Sequence, residues 1–167
     1  MKELLLQYSS YHIWANKLLM DSILELPTDQ QEKEIPSSFP SFYKTFHHML
    51  MAELAWWKRI TDEKLVIESI DTFAGSLKDL CTVLQQQSLQ WNEWLVNRTD
   101  TNLQEMITYT HASGKAYTMP LYQIVLHVHN HGTYHRGQLV TMLREIGVEK
   151  IPQTDFSAWS RSGNGIK

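Results

Sequence analysis

Cysteine is almost missing from this chain: Cys81 stands alone among 167 residues. One thiol cannot close an intrachain disulfide, so the fold has to stand without that staple, and the usage fits a reducing, cytoplasmic setting. Long apolar runs are missing too. No stretch approaches the ~18 uninterrupted residues of a membrane span. The N-terminal "MKELLLQYSSYHIWANKLLM" is interrupted by Gln7, Ser9, Ser10 and His12, so it does not read as a signal peptide. There is no basic run, and the formal charge is −3 from 15 basic and 18 acidic side chains. Affinity for nucleic acid through phosphate neutralisation is therefore not expected. Internal repeats and low-complexity segments are also absent.

What is present is apolar and aromatic. Hydrophobic residues make up 43%, including six Trp, seven Tyr and five Phe, which argues against disorder. The length suits one domain, residues 1–167, with a core of its own. Four segments carry helical periodicity. The first runs from Lys2 to Leu26, with Leu5, Tyr8, His12, Ala15, Leu19 and Ile23 on one stripe, and stops at Pro27. The polar "PTDQQEKEIPSS" that follows reads as exposed connection. The second helix spans Ser41 to Thr61 and the third Thr72 to Val96. "MITYTHASGKAYTM" places β-branched and aromatic residues on both sides of Ser113-Gly114, which predicts a small hairpin lying against the helices. The fourth helix begins near Met119-Pro120 and ends at Gly147, and a short turn is expected around Phe156 to Ser160. The fold class is thus all-α, a four-helix bundle with a β-hairpin inserted before the last helix.

Half of the eight histidines crowd into "HVHNHGTYHRGQ", residues 127–138. His131 and His135 are four residues apart, so their rings project from one helical face, as two imidazoles do toward zinc in the HExxH helix. Here Gly and Thr occupy the two positions after the first histidine, so the metalloprotease base is missing and that chemistry is excluded. Gln138 lies on the same side and could orient a ligand or a water; His127 extends the row by one turn, and His129 points away. Two imidazoles are too few for a catalytic metal, which usually takes three protein ligands and keeps a vacancy. The second helix offers His47 and His48, and the helical wheel leaves both open, with Ala52 and Ala55 beside His48 allowing close helix approach. His12, on the core stripe of the first helix, reads better as a hydrogen-bonded core residue.

"NHGTYHRGQLVTMLREIG" resembles the signature of the DinB family, DinB/YfiT-like four-helix bundles that bind a divalent metal through three histidines. "YHIWANKLLM" resembles the family's first helix, "HMLMAELAWW", with His48, Glu53 and Trp56, its second, and "TDFSAWSR" its C-terminal segment. The resemblance implies metal ligands at His48, His131 and His135. It also implies chemistry, since the family includes metal-dependent hydrolases and S-transferases or isomerases that use low-molecular-weight thiols. Imidazole ligands suit zinc, nickel, copper or iron, and zinc or nickel is the expectation here. Such a site would acidify water for hydrolysis or a thiol for transfer to a small-molecule substrate. The lack of a helix-borne base beside the histidine pair favours transfer. Glu53 lies about 140° from His48 on the wheel and is expected to be a buried partner. Arg136 and Arg59 are candidates to receive a carboxylate on an acidic thiol cofactor, or equally to stand exposed or pair helices; Trp56 and Trp57 would line a pocket, fill the core or form a homodimer contact. The competing class is a non-enzymatic, metal-stabilised dimeric bundle.

Overall fold

The computed structural model describes residues 1–61, 73–111 and 113–164. Helix α1 covers Lys2–Leu24, two residues short of the expected end; Glu25 closes it ahead of Pro27. Of its predicted stripe, Leu5, His12, Ala15, Leu19 and Ile23 are all buried. The loop after Pro27 departs from the expectation of plain exposed connection. It contains a single-turn helix, α2 (Thr28–Gln31), whose Gln31 amide donates to the Leu24 and Leu26 carbonyls at 3.2 and 2.7 Å. Those bonds satisfy acceptors that the end of α1 leaves open. Ile35 then tucks into the core at 2% exposure. An isolated apolar residue in a polar run gives no periodic signal, which is why the sequence reading missed it.

Helix α3 is Phe42–Ile60, with the Ser41 hydroxyl accepting from the Lys44 amide at 3.1 Å. Helix α4 is Leu77–Val96. The expected start at Thr72 lies outside the described residues, and residues 73–76 are not helical. The reason is local: Ser76 and Asp79 form a reciprocal capping box, with Asp79 N to Ser76 Oγ at 3.2 Å and Ser76 N to Asp79 Oδ2 at 2.9 Å. A one-turn helix, α5 (Asp100–Leu103), precedes the hairpin β1 (Met106–Thr110) and β2 (Ala116–Pro120). The strands pair antiparallel with Thr108 opposite Thr118 and Tyr109 opposite Tyr117. Gly114 takes φ +81° in the connection, as the sequence required. Helix α6 is Leu121–Glu145, with Pro120 just ahead of it and Gly147 at φ +88° beyond its end. Helix α7 (Phe156–Trp159) folds back on α1, where Trp159 packs with Tyr11 and Ala15.

The four long helices form a bundle in which α1 and α3 each pack against both α4 and α6. Its core is divided along the axis. One half gathers Leu19, Ile23, Phe42, Phe46, Leu84 and Leu139; the other holds Leu5, Leu95, Val125 and a triad of Trp57, Trp91 and Trp94 with ring centroids 5.2–5.9 Å apart. Between the halves runs a buried polar layer drawn from every long helix: His12 and Asn16 on α1, Glu53 on α3, Ser88 on α4, His129 and Arg136 on α6. Cys81 is buried, and burial, with Asp21 nearby, pushes its thiol up to about 12, which leaves it inert as a nucleophile. Among the described residues no helix is long and apolar enough to cross a membrane.

Candidate metal centre

Helix α6 presents two faces to two neighbours. His131 and His135 turn toward α3, where His48 meets them. His129, Gly132 and Arg136 turn toward α1. On the α3 side the Nε2 atoms of His48 and His131 are 3.2 Å apart, and those of His131 and His135 are 3.0 Å apart. Two nitrogens each about 2.0–2.1 Å from one zinc-like ion sit about 2.9 Å apart at a right angle and about 3.3 Å apart at the tetrahedral angle. The observed separations lie between those limits. Among the described residues these three are the group of metal-capable side chains whose donor atoms all fall within 4.8 Å of one another.

The protonation pattern favours a cation as well. The Gln138 side-chain oxygen is 2.7 Å from His135 Nδ1. An amide oxygen only accepts, so Nδ1 carries the hydrogen and Nε2 shows its lone pair to the centre. A single hydrogen on His131 Nε2 could serve only one of its two neighbours. Gln138 is itself held, its amide nitrogen donating to Ser38 Oγ and Tyr134 Oη at 3.3 Å each. Burial, then the neighbouring His135 and His48, lowers the His131 ring to about 4; burial likewise lowers His48 and His135. All three are therefore neutral near pH 7, the state a metal requires.

Phe39 completes the surroundings. Its ring stacks on His48 at 4.0 Å and meets His135 edge-on at 5.7 Å. It comes from the loop before α3, and the sequence reading did not select it; an aromatic flanked by Pro36 and Pro40 in a polar loop was the available signal. His48 and His131 remain partly exposed while His135 is buried, so the group opens to solvent on one side.

The other candidates separate cleanly. His127 is exposed, 6.1 Å from the His131 ring and 5.3 Å from Trp56. His47 stacks on Tyr43, away from the three rings that meet. His12, Glu53 and Arg136 belong to the polar layer, not to the histidine group. His12 Nε2 lies 3.0 Å from Glu53 Oε1 and 2.9 Å from Asn16 Nδ2. Ser88 Oγ donates to Glu53, and Arg136 donates to Asn16 Oδ1 at 2.8 Å and Thr133 Oγ1 at 2.7 Å. At 2% exposure Arg136 has no route to a substrate carboxylate, so that expectation is corrected. His129 points away from the group, as expected, yet into the interior, 1% exposed and 5.0 Å from the His12 ring. Trp57 is core; Trp56 stays at the surface edge against His127 and Tyr109.

Known proteins support the same framework. The sequence profile of the DinB family matches residues 1–163. Protein DinB of Bacillus subtilis (strain 168) is 27% identical over 156 residues, covering 89% of each chain. With a match that runs through all four long helices and the three-histidine group, the chain belongs to the DinB family.

Proposed function

We propose that the protein holds a divalent metal at His48, His131 and His135 and catalyses transfer of a low-molecular-weight thiol to a small electrophile. A zinc or nickel ion on three neutral imidazoles would supply a Lewis acid that lowers the pKa of a thiol reaching it. The observation that carries the reading is the convergence of His48 and His135 on His131, Nε2 to Nε2 at 3.2 and 3.0 Å and all three donors within 4.8 Å, with no carboxylate among them. Neutral donors leave the ion its full charge. Gln138 fixes the His135 tautomer, Phe39 shields one flank of His48 from water, and the exposed flank admits the reactants.

Hydrolysis would call for a base near the ion. Glu53, the carboxylate on the same helix as His48, is occupied by His12 and Ser88 in the buried layer. Thiol transfer needs less: the sulfur–carbon bond forms as the leaving group departs, and the thiol proton passes to solvent. A hydrolase reading would rest on His127, the exposed imidazole one turn from His131.

The test is zinc-loaded protein incubated with glutathione, cysteine or bacillithiol and chlorodinitrobenzene, alongside ester and amide substrates. Thioether formation abolished by His131→Ala is the expected result. Ester or amide cleavage lost in His127→Gln, without thioether formation, would replace this reading with the hydrolase.

A further inference from the structure

Away from the three histidines, a second group of side chains lies along the same α3 to α6 side and has no part in the thiol transfer above. Arg59, in the last turn of α3, sets its guanidinium 4.8 Å above the Trp56 ring and 5.8 Å from that of Tyr109. Trp56 is gripped edge-on by Tyr109 at 4.8 Å and by His127 at 5.3 Å, and His127 leads on to His131. Arg59 is exposed, and among the described residues no carboxylate pairs with it. An arginine in a last helical turn can serve the helix dipole alone. Here the guanidinium instead sits over an indole, 4.8 Å from its centroid, and the indole is held from two sides by the hairpin and by α6. A cation–π contact does not consume the N–H donors of a guanidinium, which stay available to a bidentate acceptor.

We infer that Arg59, held by Trp56 and Tyr109, is the recognition point for a carboxylate on the substrate or thiol whose reacting end lies at His48, His131 and His135. The inference rests on the metal-dependent reading above and adds the substrate class: an extended acid. Trp56 is eight residues along α3 from His48, a rise of about 12 Å, so the carboxylate and the reacting atom must be separated by about that distance. Short acids would reach one end or the other, not both.

Cobalt-loaded protein titrated with ω-mercaptoalkanoates of rising length (propanoate, octanoate, undecanoate) and with the matching ω-mercaptoalcohols tests this, read by sulfur-to-cobalt charge-transfer absorption. A parallel series carries a hydroxamate in place of the thiol. The acids should bind tighter than the alcohols at middle length by about two- to fivefold, the ratio for one exposed ion pair. Arg59→Gln should erase that advantage and leave the alcohols unchanged, while Arg59→Lys should keep part of it. Equal binding of acids and alcohols at every length, or an advantage that survives Arg59→Gln, overturns the inference while thiol binding still stands. Binding by the hydroxamates alone, with the carboxylate advantage present, removes the thiol reading and upholds Arg59.

Discussion

Replacing Glu53 by Gln should make stability less sensitive to alkali, and the size of the effect follows from the polar layer. Arg136 donates to Asn16 Oδ1, which turns the Asn16 amide nitrogen toward His12 Nε2 at 2.9 Å. Arg136 Nη1 also lies 3.1 Å from His12 Nδ1, so both nitrogens of this ring face donors and a neutral imidazole can accept from only one of them. The short contact between His12 Nε2 and Glu53 Oε1 takes its hydrogen from one of the two partners. Burial decides the state of the carboxyl: it pushes Glu53 up to about 8, against smaller opposing effects from the Ser88 hydroxyl and the Arg136 charge, so the group is protonated in the folded chain near neutral pH. From the ordinary value of 4.5 up to about 8 the unfolded chain has lost this proton and the folded chain keeps it. The contribution is complete below the unfolded value and declines by about 1.4 kcal/mol per pH unit, a total loss of about 5 kcal/mol above the folded value. Gln keeps a donor toward His12 and cannot ionise. Urea unfolding of both metal-free proteins from about pH 5 to about pH 9 should show the Gln variant gaining steadily on the parent, by about 3 kcal/mol at neutrality. His12 and His129 lie well below the ordinary histidine value because of burial, so they weaken both proteins below that value and cancel in the difference. Parallel curves, or a variant less stable throughout, would mean an ionised Glu53 paired with a protonated His12, and the neutral carboxyl would fall.

Four further outcomes are expected. His131→Ala and His135→Ala should each lower zinc affinity by orders of magnitude in equilibrium dialysis, while His129→Ala keeps zinc and loses stability instead, since its ring lies in the interior. Gln138→Ala should reduce zinc affinity by about 10–100-fold, because the His135 ring loses the acceptor that sets its tautomer. Chelation should remove the metal with the bundle still folded by circular dichroism; unfolding in EDTA would point to a closed structural site. Gly132→Ala should lower the thermal midpoint by several degrees, with about 1–3 kcal/mol lost, because the new methyl collides with the His12 ring and closes to 3.3 Å from Arg136 Nη1.

The amphipathic stripes of α1, α3 and α6 were readable because buried apolar positions recur at three and four residues, and the hairpin because β-branched residues flank a glycine turn. The pairing of His131 with His135 was equally plain, being set by one helix. The choice of His48 over His47 was not: it depends on which side of α3 meets α6, and the resemblance to the family, not the wheel, selected it. Phe39 and Ile35 escaped because a short loop has no period to read. Arg136 follows His135 in the chain, but a helix turns about 100° between neighbours. That rotation carries it off the α3 face and into the α1 interface.

The polar layer bears on the metal centre through register. Gly132 sits between His131 and the Thr133–Arg136 pair, and its missing side chain is what lets the His12 ring lie against α6. An all-apolar seam between α1 and α6 would tolerate a slide of one helical turn, since leucine can replace leucine in most holes. Hydrogen bonds from Arg136 to Asn16 and Thr133, and from Asn16 to His12, admit one alignment, because any slide would strand a buried guanidinium. A slide of one turn along α6 is about 5.4 Å, more than the 3.0–3.2 Å that separates the imidazole nitrogens. The layer facing α1 thus sets the height at which α6 offers His131 and His135 to His48. A buried network that costs stability as pH rises past the ordinary carboxyl value is retained because it fixes the one coordinate on which the three-histidine site depends.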